Sequence, residues 1–148
     1  MFILIIGSAP DALEAKSFKR ELFQGLVTIN NAWNVRKDWD YCIFPDDFPN
    51  DRRPRKNKDQ KLIGSEQYVL VQNEYGGFVY AGGTMAFTAG YWALGHFKPK
   101  AIAYIGCDMV YEGENTHFYG RGSPDPLRKD PTLKNLKAKS ARLEAIAA

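Results

Sequence analysis

The chain begins with an uninterrupted apolar run from Phe2 to Ile6 that ends at Gly7. An apolar run without alternation is typical of a strand buried on both faces, as strands of parallel sheets are. The run is too short to span a bilayer and lacks a preceding charged segment, so we interpret it as a first strand and not as a signal peptide. A strand of this kind needs covering layers on both sides, which restricts the chain to a few fold classes.

Further short apolar runs alternate with helical patterns along the 148 residues. The patterns predict strands over Leu26–Ile29, Trp39–Phe44, Tyr68–Val71, Phe78–Tyr80 and Ala101–Ile105, and helices over Asp11–Phe23, Thr84–His96 and from Thr132 onward. This alternation indicates a single α/β domain over residues 1–148, with a mainly parallel sheet and helices on both faces. The chain stops inside the last predicted helix, so we expect a form truncated at its C-terminus.

Charge and cysteine content exclude some classes of protein. The net charge of +3 is too small to indicate a nucleic-acid or membrane partner, and we expect no nucleic acid as a partner. No later segment is long and apolar enough to predict a membrane span. The two cysteines, Cys42 and Cys107, fit no zinc or disulfide pattern. We expect buried free thiols, which agree with a cytoplasmic protein.

The segment Asn50–Lys61 is basic and has no apolar periodicity, which predicts an exposed loop. It has no interleaved aromatic residues, so recognition of nucleic acid by stacking is not supported. Two interpretations remain, a mobile solvated loop and a lid over an anionic ligand.

Polar residues and glycines gather where the predicted strands end. In open α/β sheets, ligands bind beyond the carboxyl ends of the strands, at a switch in strand order. The candidates are Gly7, Ser8 and Pro10 after the first strand, Asn30 and Asn31 after the second, Asp46 and Asp47 after the third, Gly82, Gly83 and Thr84 before the long helix, and Asp108 and Tyr111 after the late strand.

Each candidate has a ligand-binding and a purely structural interpretation. The turn at Gly7 and Ser8 suits an anion, or is an ordinary strand-to-helix turn; it matches neither the dinucleotide fingerprint nor the P-loop. Asn30 and Asn31 suit a base edge or ribose hydroxyls, or one of them caps a helix.

The helix start at Gly82, Gly83 and Thr84 suits a phosphate, or is a tight turn with a threonine cap. Asp46 and Asp47 can bind a divalent ion or a sugar hydroxyl, or form a turn; no third metal ligand is evident.

The stretch "NTHFYGRG" brings together His117, Tyr119 and Arg121. These side chains can supply a general base and stabilise negative charge, or belong to a surface loop with packed aromatic rings. His96 ends the long predicted helix, where it suits the helix dipole.

Three stretches resemble bacterial sialyltransferases that use CMP-activated sialic acid. "ILIIGSAP" resembles their first strand and turn, "TINNAW" their second strand, and "AGGTMAFTAGYWALGHFKPKAIAYIGCDMVY" their helix start, helix and following strand. The likeness covers about two-thirds of the chain. Related Rossmann-like proteins that resemble 6-hydroxymethylpterin diphosphokinase share the early pattern. Here Ala9 replaces the second turn glycine, and Gly83 and Thr84 stand where the family has Ser and Gly.

The resemblance implies a Rossmann-like fold and sugar transfer from a nucleotide donor, favouring a CMP-sugar, to a glycan or small acceptor. It implies no metal and no other cofactor, and self-association as in similar proteins. By the resemblance, the nucleotide would contact Gly7, Ser8, Asn31, Gly82, Gly83, Thr84 and Asp108, and Tyr111 and His117 would be catalytic. The residue patterns described above add Pro10 and Asn30 to the nucleotide site, Tyr119 to the catalytic residues, and Asp46 and Arg121 as substrate contacts.

Two alternatives remain open. One is pyrophosphate transfer from ATP, which needs magnesium and would make Asp46, Asp47 or Asp108 metal ligands. The other is a non-catalytic nucleotide-binding or phage-type protein.

Overall fold

A parallel sheet organises the computed structural model, which describes residues 2–75, 85–107, 118–119 and 143–145. Its strands within those ranges are β1 (Phe2–Ile6), β2 (Phe23–Ile29), β3 (Tyr41–Ile43), β4 (Lys61–Ile63) and β5 (Ile102–Ile105). They lie in the order β4-β3-β2-β1-β5, and every pair is parallel. The α-helices of more than one turn in the same ranges are α1 (Ser65–Asn73) and α2 (Met85–Phe97). The predicted α/β, Rossmann-like fold class is confirmed.

The strand order explains which face each connection covers. The chain steps in one direction from β1 to β4, and then returns past β1 to form β5. Crossovers between parallel strands are right-handed, so a reversal of direction moves the connection to the opposite face. The connections up to β4 accordingly pack on one face, and α1 and α2 pack on the other.

Side chains of the strands alternate between two buried cores, as the two-residue period of a strand requires. In β1, Leu4 and Ile6 belong to the core beneath the early connections, whereas Ile3 and Ile5 belong to the core beneath the helices. Both sides are therefore covered, which is why the run reads as continuously apolar.

The connection between β1 and β2 is built from 3₁₀ turns and not from the α-helix predicted over Asp11–Phe23. The turns span Pro10–Ser17 and Arg20–Leu22, and Phe23 already belongs to β2. Ala12 and Ala15 are the buried residues of the longer turn. Their three-residue spacing matches the 3₁₀ period, in which residues three apart share a face.

The strand predicted at Tyr68–Val71 is wrong, because these residues lie within α1. The Gln67 side chain accepts a hydrogen bond from the Gly64 N–H at 2.9 Å, which satisfies a donor at the helix start. Tyr68 and Gln72 are both buried, and residues four apart lie on one helix face. Helix capping and packing thus override the β-propensity of the sequence YVLV.

The helix predicted over Thr84–His96 is confirmed as α2, and the late strand as β5. A Cβ on Gly90 of α2 would collide with the Tyr104 hydroxyl and meet the Leu143 side chain, so glycine at this position allows both residues to approach the helix. Leu143 belongs to a helical turn, residues 143–145, within the predicted C-terminal helix. The remainder of that helix and the predicted strand Phe78–Tyr80 lie outside the described residues.

Candidate functional site

The backbones at the ends of β1 and β5 come into direct contact where the strand order reverses. The Gly7 N–H donates to the Ile105 carbonyl at 2.8 Å, and the Ala9 N–H donates to the Gly106 carbonyl at 2.9 Å. A Cβ on Gly7 would lie 2.3 Å from the Gly106 oxygen. Gly106 itself has a φ of 75°, the left-handed region that favours glycine.

This contact gives Gly7 a structural reason to be glycine, with no ligand required. Sequence reasoning noted Gly7 and missed its partner Gly106. Each strand ends in an isoleucine that a glycine follows, and the two isoleucines, Ile6 and Ile105, are register partners in the sheet. The repeated dipeptide is the signal that would have identified the contact.

Asn30, at the carboxyl end of β2, has two unusual features. Its φ is 52°, a left-handed conformation that costs energy in a residue other than glycine. Its side-chain Oδ1 is buried and has no hydrogen-bond partner among the described residues. An unpaired buried acceptor costs about 1–3 kcal/mol. Of the two asparagines that could cap a helix, Asn30 does not, because Ile29 is the N-cap of the 3₁₀ turn Asn30–Asn34 and the Asn30 Oδ1 accepts no hydrogen bond from the described residues.

Cys42 contacts the backbone of Asn30. The Cys42 thiol donates to the Asn30 carbonyl with an Sγ–O distance of 3.7 Å. Burial raises the pKa of Cys42 to about 12, with a hydrogen bond from Thr28 acting in the opposite direction. A thiol with that pKa stays protonated near neutral pH, so Cys42 is a packing residue and not a nucleophile.

Two late residues join the ends of β1 and β2. The Phe118 N–H donates to the Ser8 carbonyl at 2.8 Å, and the Phe118 ring packs against the core beneath the early connections. The Asn31 Nδ2 donates to the Tyr119 hydroxyl oxygen at 3.1 Å. The structure therefore brings together Ser8, Asn31 and Tyr119, three of the residues that the sequence singled out.

Asp46 and Pro10 lie at the exposed rim of the same sheet edge. The Asp46 carboxylate accepts a hydrogen bond from the Ser65 hydroxyl at 2.7 Å, which ties the turn after β3 to the first residue of α1. Pro10 occupies the first position of its 3₁₀ turn. Asp46 therefore has a structural role in linking two elements, and Pro10 has one in starting its 3₁₀ turn.

Seven predicted site residues lie outside the described residues: Gly82, Gly83, Thr84, Asp108, Tyr111, His117 and Arg121. Among the residues that are described, no group of three His, Cys, Asp or Glu side chains is arranged to hold a metal ion. None of the helices in those same ranges is both long and apolar enough to span a membrane.

The loop between β3 and β4 is held to the domain at both ends. The Arg53 guanidinium lies over the Phe44 ring at 4.5 Å and donates to the Phe48 carbonyl at 2.9 Å. At the far end, the Gln60 side chain is buried and donates to the carbonyls of Lys37 and Trp39, each at 2.9 Å. These anchors disfavour the interpretation of the whole segment as a mobile solvated loop.

The fold and this edge define an α/β domain with a Rossmann-like strand order and a polar strand-end surface. Comparison with family models, with curated proteins and with solved structures found no match.

Proposed function

We propose that the chain binds a nucleotide at the carboxyl edge of β1 and β2 and transfers a sugar from it, with a CMP-sugar as the favoured donor. The observation that carries the proposal is Asn30, which combines a left-handed backbone with an unpaired buried Oδ1. Features of this kind persist when the surrounding structure maintains them, and they cluster at ligand-binding sites.

The orphan oxygen of Asn30 requires a hydrogen-bond donor. The amino group of cytosine and the hydroxyls of ribose are donors of this kind. Oδ1 is buried, so a ligand reaches it after rotation of the side-chain amide, and within the described part of the chain no hydrogen bond to Oδ1 opposes that rotation. Asn31 and Tyr119 beside it offer further polar contacts for the sugar or phosphate.

The transfer that these residues fit is a direct displacement at the anomeric carbon. The acceptor oxygen forms a bond to that carbon while His117 takes its proton as general base. The bond from the anomeric carbon to the phosphate oxygen breaks, and its electron pair leaves on the nucleotide. Tyr111 and Tyr119 stabilise the charge that develops on the phosphate. The reaction needs no metal ion in this scheme.

A thermal-shift screen tests the proposal with CMP, UMP, GMP, ADP, ATP and their sugar conjugates, with EDTA or with magnesium. A ligand at 100 times its Kd adds about 2.7 kcal/mol of stability. We expect CMP or a CMP-sugar to raise the Tm by several degrees in EDTA. A shift with ATP in magnesium alone would contradict sugar transfer and favour pyrophosphate transfer. No shift with any nucleotide would contradict nucleotide binding.

A further inference from the structure

The segment that leads from the loop after β3 into β4 is rich in positive charge. Residues 52–61 contain six of the 20 basic residues and one aspartate, although the net charge of the chain is only +3. The remainder of the chain is therefore slightly acidic. Five of these cations are exposed, and we call the four that precede β4 the basic strip: Arg52, Arg55, Lys56 and Lys58.

No ion pair neutralises the basic strip within the described ranges. The salt bridges found there belong to Arg20 and Arg36, which pair with Asp38 and Asp40. Two exposed aspartates, Asp51 and Asp59, lie in the same stretch, so the four cations of the strip exceed them by two charges. An excess of cations raises the local concentration of anions and attracts acidic ligands over about one Debye length.

The backbone beneath the basic strip is fixed. The Trp33 indole N–H donates to the Arg52 carbonyl at 2.9 Å, and Pro54 is buried. The Asn57 side chain accepts hydrogen bonds from the N–H groups of Asp59 and Gln60 at 2.9 and 3.0 Å. The cations are thus presented on a pinned loop, which lowers the entropy cost of binding a partner.

The strip begins at the candidate site and runs away from it. Trp33, which holds Arg52, follows Asn31 by two residues in the same 3₁₀ turn. The loop then returns to the amino end of the sheet, where Lys61 pairs with Tyr41.

We infer that the basic strip binds an acidic glycan, one that carries carboxylate, phosphate or sulfate groups, as the acceptor. This inference rests on the proposed function, which supplies a sugar to an acceptor at the adjacent edge. A glycan fits better than single-stranded nucleic acid, which needs open aromatic faces for its bases. The nearby rings are engaged, since Arg53 covers Phe44 and Trp33 packs against the core.

The test uses the full chain and a fluorescent heparin-derived hexasaccharide as the acidic probe. The double variant Arg55→Glu, Lys56→Glu reverses two strip charges at exposed positions. Its control, Lys16→Glu with Lys19→Glu, reverses two exposed charges elsewhere. In low salt we expect the strip variant to bind the probe about tenfold more weakly, and the control to bind within about twofold of the unmodified chain.

Three results would overturn the inference: no binding by the unmodified chain, equal weakening in both variants, or tighter strip-dependent binding of a single-stranded oligonucleotide of the same charge. CMP binding is measured on the same samples. If the strip variant loses binding of the hexasaccharide and retains binding of CMP, the acceptor surface is distinct from the nucleotide site. Absence of CMP binding in every sample would contradict the proposed function independently of the glycan result.

Discussion

Gly7 lies where the backbones of β1 and β5 approach most closely, and its missing side chain permits that approach. We expect Gly7→Ala to destabilise the fold by about 1–3 kcal/mol, the usual cost of overpacking. The reason is that the new Cβ would lie 2.3 Å from the Gly106 oxygen and 2.5 Å from the Cys107 sulfur. Backbone oxygen cannot rotate away as a side chain can. Urea denaturation measures the change.

Gly64→Ala is the matched control for this substitution. Gly64 also follows a strand, but a Cβ there would meet only the Gln67 side-chain oxygen, at 3.7 Å. The free energy of unfolding of Gly64→Ala should change by about 0.5 kcal/mol or less. Alanine reduces the conformational freedom of the unfolded chain, and this stabilising effect offsets the weaker helix cap. Equal losses in the two variants would contradict the packing role of Gly7.

At the scale of elements, the C-terminal end of α2 forms an aromatic cluster that is sensitive to pH. His96 stacks on Trp92 with ring centroids 4.7 Å apart, and its Nε2 lies 3.1 Å from the Tyr41 hydroxyl. Burial lowers the pKa of His96, and the positive charge of Lys61 lowers it further. The folded state therefore favours neutral His96.

Stability should fall as the pH drops below about 6.5, because the unfolded chain then binds a proton that folded His96 resists. The decline in stability ends once the pH has fallen below the pKa of His96 in the folded chain, which is lower than its pKa in the unfolded chain. Chemical denaturation between pH 8 and pH 5 measures it, and His96→Gln should flatten the profile. An identical profile in that variant would contradict the assignment.

Asp38 affects the stability of the fold in a separate pH range, which is more acidic than that of His96. The hydrogen bond from Arg36 is the largest cause that lowers the pKa of Asp38. The resulting stability is present above the unfolded pKa of about 3.9 and is lost as the pH falls through the folded value. The two effects can therefore be separated in one titration.

The sequence predicted some of the strands and helices correctly and missed or misassigned others. β1, β2 and α2 were predicted because their apolar patterns are long enough to identify one period. β4 was missed because it has three residues and only Ile63 is buried. α1 was misassigned because its start is defined by contacts from Gln67 and Asp46, which local β-propensity does not report.

At the scale of the whole molecule, sequence reasoning placed polar residues at strand ends, and the parallel sheet put those ends on one edge. It predicted that Ser8, Asn31 and Tyr119 belong to a site, and the structure joins them. It did not reveal the strain at Asn30 or the Gly7–Gly106 contact. Both depend on which strands are neighbours and on backbone angles, which a single sequence does not specify.

The most direct test of nucleotide binding compares the unmodified chain with Asn30→Gly by isothermal titration with CMP in EDTA. Glycine accepts the φ of 52° without strain and removes the unpaired oxygen. The variant should unfold at a temperature a few degrees higher without ligand, yet bind CMP about tenfold more weakly. Increased stability with an unchanged Kd for CMP would contradict the assignment of Asn30 to a nucleotide site.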